Sequence, residues 1–214
     1  MKIDVYADVV CPWCYVGESR LEKALEARPD LAVERHWRPF QLRPDMPAGG
    51  LSRAEVLGRK FGGAERLRVM DERLAEVGAA DGIRFAWERV TNSPNTVDAH
   101  RLILFAAERG LEWPLAHALF AAYFTDGRDL NDRDQLVAAA ESVGVAGEEA
   151  RAYLASERGV AEVAESQQTA EELGISGVPF YVIDDRYGLS GAQPVEVFLR
   201  VLDEYTGAGA AAVG

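Results

Sequence analysis

Asp8-Val9-Val10-Cys11-Pro12-Trp13-Cys14-Tyr15-Val16-Gly17 is the stretch on which the reading of this chain turns. Just before it, Ile3, Val5 and Ala7 alternate with other residues over positions 2–7, which predicts a strand. Just after it, Tyr15, Val16, Leu21, Ala24 and Leu25 recur at helical spacing to about Arg28, and Pro29-Asp30 ends the pattern. Two thiols three residues apart on the first turn of a helix share one face and can bridge. The unpaired N–H groups and positive dipole end of that turn stabilise a thiolate. Cys11, at the helix mouth, is therefore expected to be the exposed nucleophile, and Cys14, one turn in, the resolving thiol. Pro12 suits the first helical position, where no N–H is needed. Pro12 and Trp13 lie between the thiols, where a residue faces the reaction partner.

Working outward, Val33-Glu34-Arg35-His36-Trp37-Arg38-Pro39-Phe40 predicts a second strand within 32–41. Strand, helix and strand make a β-α-β unit with parallel strands and a right-handed crossover. Pro44, Pro47, Gly49 and Gly50 mark a loop. From about Ser52 to Leu173 the chain reads as helical, broken by glycines, with one short β-like piece at Ile83-Arg84-Phe85. β character returns at 179–184 and 187–191, and a last helix starts near Pro194. β-rich ends around a helical middle describe one α/β domain interrupted by an insertion.

The chain has 214 residues, 23 basic against 35 acidic, for a net charge of −12. That sign repels phosphate backbones and anionic bilayers, so neither nucleic acid nor membrane is an expected partner. The longest apolar run, Leu102 to Ala107, is far shorter than the roughly 20 residues of a membrane span. Met1-Lys2-Ile3-Asp4 enters a strand pattern at once, without a basic segment followed by an apolar one, and the expected location is the cytoplasm. In a reducing compartment, two cysteines three apart suggest chemistry more than a staple. A zinc site would need a second pair of ligands, and His36, His100 and His117 are not motif-spaced, so no metal is expected. The thiol pair is itself a redox group and calls for no bound cofactor.

A second element is Gly177-Val178-Pro179-Phe180, with a proline at a strand start, where the missing donor is harmless. Together with Cys11-Pro12-Trp13-Cys14 it makes the chain resemble the DsbA-like thiol oxidoreductases, and within them the FrnE-like cytoplasmic subgroup. The resemblance runs nearly end to end. It includes Trp37-Arg38-Pro39-Phe40-Gln41-Leu42, Asn95-Thr96-Val97-Asp98-Ala99-His100-Arg101-Leu102, Phe124-Thr125-Asp126-Gly127-Arg128-Asp129-Leu130 and Ser190-Gly191-Ala192-Gln193-Pro194. It implies a thioredoxin-like fold with an inserted all-helical domain: thioredoxin-like parts at 1–50 and 174–206, the insertion at 51–173, and a flexible tail at 207–214.

The resemblance also places a cis-proline at Pro179 beside Cys11, with the Val178 backbone able to pair with an extended substrate. Periplasmic relatives carry a histidine between the thiols where this chain has Trp13, so their strong oxidising character does not carry over. A related branch, the kappa-class glutathione transferases and hydroxychromene-carboxylate isomerases, shares fold and insertion but usually has serine at the position of Cys11. Its resemblance makes Asn95, His100 and Gln193 candidate substrate contacts. The alternatives are a helix cap for Asn95 and Gln193 and a satisfied buried histidine for His100. The main expectation is thiol–disulfide exchange with protein or small-molecule thiols and disulfides. The alternative is a glutathione-dependent transferase or isomerase acting on a small aromatic molecule, such as a polyketide, with glutathione as the further partner.

Overall fold

The computed structural model describes residues 1–205, so the expected tail at 207–214 lies outside the described residues. In chain order the elements are β1 (Lys2–Ala7), α1 (Pro12–Glu26), β2 (Glu34–Pro39), β3 (Leu51–Ser52), α2 (Arg53–Phe61), α3 (Ala64–Ala80) and β4 (Asn92–Ser93). They continue with α4 (Val97–Ala107), α5 (Glu112–Phe124), α6 (Arg133–Ser142), α7 (Gly147–Ala155) and α8 (Val160–Glu172), then β5 (Phe180–Ile183), β6 (Tyr187–Ser190) and α9 (Val195–Tyr205).

The main sheet has the order β2-β1-β5-β6. β1 and β2 run parallel, from Lys2 opposite Glu34 to Ala7 opposite Pro39. β5 lies antiparallel on the other side of β1, and β6 antiparallel to β5. Being central, β1 is covered on both faces. Ile3, Val5 and Ala7 enter the large core with Leu21 and Ala24 of α1 and Phe198 and Leu202 of α9. Tyr6, on the opposite face, packs with Phe40, Ala170 and Ile175. The alternation in β1 thus separates two buried faces, not a wet face from a dry one.

The helical block and the sheet share that large core. Tyr15 of α1 stacks on Phe120 of α5 with centroids 4.9 Å apart, and Trp37 of β2 meets Phe120 at 6.0 Å. Arg101 of α4 is 2% exposed. Its guanidinium donates to the carbonyls of Tyr153, Ser156 and Arg158 at 3.1, 2.5 and 2.7 Å and to Asp98 Oδ1 at 2.5 Å, tying α4 to the turn between α7 and α8.

One expectation is corrected. Ile83-Arg84-Phe85 is not a strand. Its neighbours bond to helix ends, Ile83 N–H to the Gly78 carbonyl at 2.8 Å and Ala86 N–H to the Phe124 carbonyl at 2.8 Å. Ile83 and Phe85 are buried, which gave the segment its β-like pattern without a ladder. The extra pairing in this region is instead a ribbon of two-residue strands, Leu51 opposite Ser93 and Ser52 opposite Asn92.

Candidate active site

The turn from β1 into α1 builds the site. Cys11 N–H donates to the Asp8 carbonyl at 2.9 Å, and the Cys11 carbonyl accepts from Cys14 and Tyr15 N–H at 3.0 and 3.3 Å. Cys11 is thus the N-cap, in extended backbone, and Pro12 opens the helix. Both cysteines are free thiols. Cys14 has no exposed surface, and burial, followed by its bond with the Cys11 sulfur, pushes its thiol up well above the ordinary range. Cys11 was expected to be exposed, but it is only 4% exposed. The helical insertion and the loop before β5 close over it, and its surface faces a cavity. Trp13, by contrast, is 42% exposed at the rim.

The loop before β5 reaches the thiols from the other side. The Val178–Pro179 bond is cis. Cys11 Sγ lies 3.6 Å from the Val178 carbonyl oxygen and donates to it. The Pro179 carbonyl is held by Gly191 N–H at 2.8 Å. α1 can approach this loop closely because residue 17 is glycine. A β-carbon there would sit 2.4 Å from Tyr181 Oη and 3.0 Å from Pro179 Cγ.

Behind the thiols lie buried polar groups. Glu18 is one turn beyond Cys14 on the same helix face, with no exposed surface. Burial raises its carboxyl to about 8, against the opposing pull of Arg35, whose Nη1 is 3.4 Å from Glu18 Oε2. Tyr181 is also buried, and its hydroxyl is pushed well up by burial first and by Glu18 next. On the opposite side, Asp8 Oδ2 accepts from Leu42 N–H at 2.8 Å, and Asp8 Oδ1 lies 3.4 Å from His100 Nε2. Trp37 Nε1–H donates to His100 Nδ1 at 3.1 Å, which leaves Nε2 to carry the proton toward Asp8.

A cavity of about 350 Å³ opens between α1, the loop before β5 and the α2–α3 pair. Asp8, Cys11, Pro12, Trp13 and Val178 line it on one side. Asn95, His100 and Gln193 do not. Asn95 Oδ1 accepts from Val97 N–H at the start of α4, and its Nδ2 donates to the Met46 carbonyl at 2.6 Å. His100 has no exposed surface, and Gln193 Nε2 donates to the Ser190 carbonyl at 2.7 Å within the turn after β6. The structure therefore brings six of the candidate residues together (Cys11, Pro12, Trp13, Cys14, Val178 and Pro179) and keeps the other three apart from the cavity.

The strand–Cys-x-x-Cys–helix turn faced by a cis-proline loop is matched over almost the whole sequence by one family description, the DSBA-like thioredoxin domain, at residues 2–203. The chain belongs to that family. Among solved structures, this DSBA-like chain superposes with a TM-score of 0.89 on the probable DsbA oxidoreductase SCO1869 of Streptomyces coelicolor, at 38% identity over 97% of this chain and 90% of that one. It also superposes with a TM-score of 0.68 on the cytosolic disulfide reductase DsbM of Pseudomonas aeruginosa, solved with GSH, at 22% identity over 96% and 99% of the two chains. The second likeness concerns the fold. An uncharacterised Bacillus subtilis protein, YwbO, is 29% identical over 95% of this chain and 96% of its own length. Membership places the chain in the DsbA-like thiol oxidoreductase family, on a thioredoxin fold with a helical insertion. Among the described residues, no helix is long and apolar enough to cross a membrane.

Sequence reasoning gave no role to Asp8, Glu18, Tyr181 or the insertion's cavity wall in this DSBA-like domain. Glu18 carried a legible signal, because it falls on the same helical stripe as Cys14 and Leu21, where an acid is out of place. The wall residues carried none, since lining a cavity and filling a core require the same apolar side chains.

Proposed function

We propose that the chain exchanges disulfides through Cys11 and Cys14. The observation that carries this reading is the Cys11 sulfur at a helix N-cap, 3.6 Å from the carbonyl of the cis-proline loop, with Cys14 one turn deeper. The Cys11 thiolate attacks one sulfur of a substrate disulfide, forming a mixed disulfide and releasing one thiolate with its electron pair. Cys14, kept protonated by burial until this step, gives up its proton and attacks the Cys11 sulfur as the thiolate. Its proton leaves with the second substrate thiol, and the chain ends as the Cys11–Cys14 disulfide. The reverse sequence oxidises a dithiol. Pro12, Trp13 and Val178 line the approach, Pro179 shapes it, and glutathione or a protein dithiol closes the cycle.

The test is reduction of insulin disulfides by dithiothreitol. Cys11→Ser abolishes the catalysed rate. Cys14→Ser accumulates mixed disulfides, visible as added mass on the protein. A wild-type rate in Cys11→Ser overturns the assignment.

A further inference from the structure

We propose that the substrate of this site is a low-molecular-weight disulfide with an apolar, ring-sized body and a negative charge, bound in the cavity between Cys11 and the α2–α3 pair. This rests on the exchange reading above and adds the substrate class. Cys11 is 4% exposed, and the surface it keeps belongs to the cavity. At about 350 Å³, the space lies near the lower end of small-molecule sites, roughly 300–1,000 Å³. A small body fits there.

The wall opposite the sulfur is apolar and partly soft: Leu57 of α2, Met70 and Leu74 of α3, then Trp87 and Phe124. Methionine adapts its shape to a guest, and Trp87 and Phe124 add apolar ring surface to the wall. The charges point to an anion. Arg43 brings positive charge to the lining of a protein whose net charge is −12. Arg53 also lines it, but Asp71 holds it at 2.6 and 2.9 Å, and its guanidinium lies 4.7 Å above the Trp87 ring. It therefore serves as part of the wall. Asp8 is the carboxylate on the opposite side, beside the sulfur. An anionic ring compound with its sulfur at Cys11 meets Asp8 as the one carboxylate among the described lining residues, and Arg43 as the cation to answer its charge.

For a symmetrical aryl disulfide, Cys11 thiolate displaces one aryl thiolate and retains the other aryl group in the cavity as the mixed disulfide. Cys14 then displaces the second aryl thiol, and dithiothreitol reduces the resulting Cys11–Cys14 disulfide. The probes are 5,5′-dithiobis(2-nitrobenzoate), which is aryl and anionic, 4,4′-dithiodipyridine, which is aryl and neutral, and glutathione disulfide, which is polar along its length. Each rate is expressed as acceleration over the uncatalysed reaction with dithiothreitol, and insulin reduction is followed in parallel. The expected order of acceleration is anionic aryl, neutral aryl, glutathione disulfide. Met70→Trp, which fills the cavity, lowers the ratio of aryl-disulfide to insulin kcat/KM at least about tenfold. Arg43→Gln lowers the anionic-to-neutral ratio about fivefold, the size of a partly exposed ion pair. A larger acceleration for glutathione disulfide, or aryl ratios unmoved in both variants while insulin is still reduced, overturns the substrate class and leaves exchange intact. Failure of wild type on every disulfide, insulin included, overturns the exchange reading itself.

Discussion

Glu18 holds a proton that the unfolded chain would release. Its carboxyl is raised to about 8 in the fold, against roughly 4.3 in an unstructured chain. Native protein therefore binds more protons than unfolded protein between those values, and stability falls as pH rises through that window. Glu18→Gln removes the effect. The variant's stability relative to wild type should grow by on the order of a few kcal/mol from pH 5 to pH 8. Urea unfolding at the two pH values decides, and parallel slopes would count against a protonated Glu18. His100 works differently, since it links two buried groups. With His100→Leu, the Trp37 indole N–H loses its acceptor and Asp8 loses its neighbour in a dry core, at a cost of about 2–4 kcal/mol. A loss below about 1 kcal/mol would mean that water or a shifted side chain replaces the imidazole.

At the scale of elements, the distance between α1 and β5 is set by residue 17. Gly17→Ala places a methyl against Tyr181 Oη and the Pro179 ring. The expected loss is about 1–3 kcal/mol of stability, with slower exchange at Cys11. Adding Tyr181→Phe to Gly17→Ala removes the nearer obstacle and should restore most of both. No rescue would place the conflict at Pro179. The link between α4 and the α7–α8 turn centres on one buried side chain. Arg101→Ala takes the side-chain donor from the Ser156 and Arg158 carbonyls and one of several donors from the Tyr153 carbonyl and Asp98, at about 3–5 kcal/mol, and a lysine, lacking the fork, should not rescue it. Element types were readable where local chemistry and periodicity agreed, as at Pro12 opening α1 or Ile3, Val5 and Ala7 on one face of β1. They were not readable at Ile83–Phe85, where buried side chains alternate but the backbone answers to the ends of α3 and α5. The two-residue ribbon of β3 and β4 had too few residues to leave a pattern.

For the molecule as a whole, Tyr15, Trp37 and Phe120 make the inserted helices and the sheet parts of one core. Near- and far-ultraviolet circular dichroism should therefore report a single coincident urea transition, and a separated early phase would show that the insertion unfolds by itself. The site was legible only in part for the same reason. Cys11, Cys14 and Pro179 stand in short local motifs, whereas the cavity exists only once α2 and α3 fold back over α1. Burial of Cys11 followed from that distant packing and not from its neighbours in sequence. One contact depends on the state of the sulfur. The Val178 carbonyl accepts from Cys11 Sγ–H, a bond that a thiolate cannot make. Any incoming donor that takes this carbonyl competes with the Cys11 Sγ–H for it, and a mixed disulfide, whose sulfur carries no hydrogen, leaves the carbonyl to the bound partner.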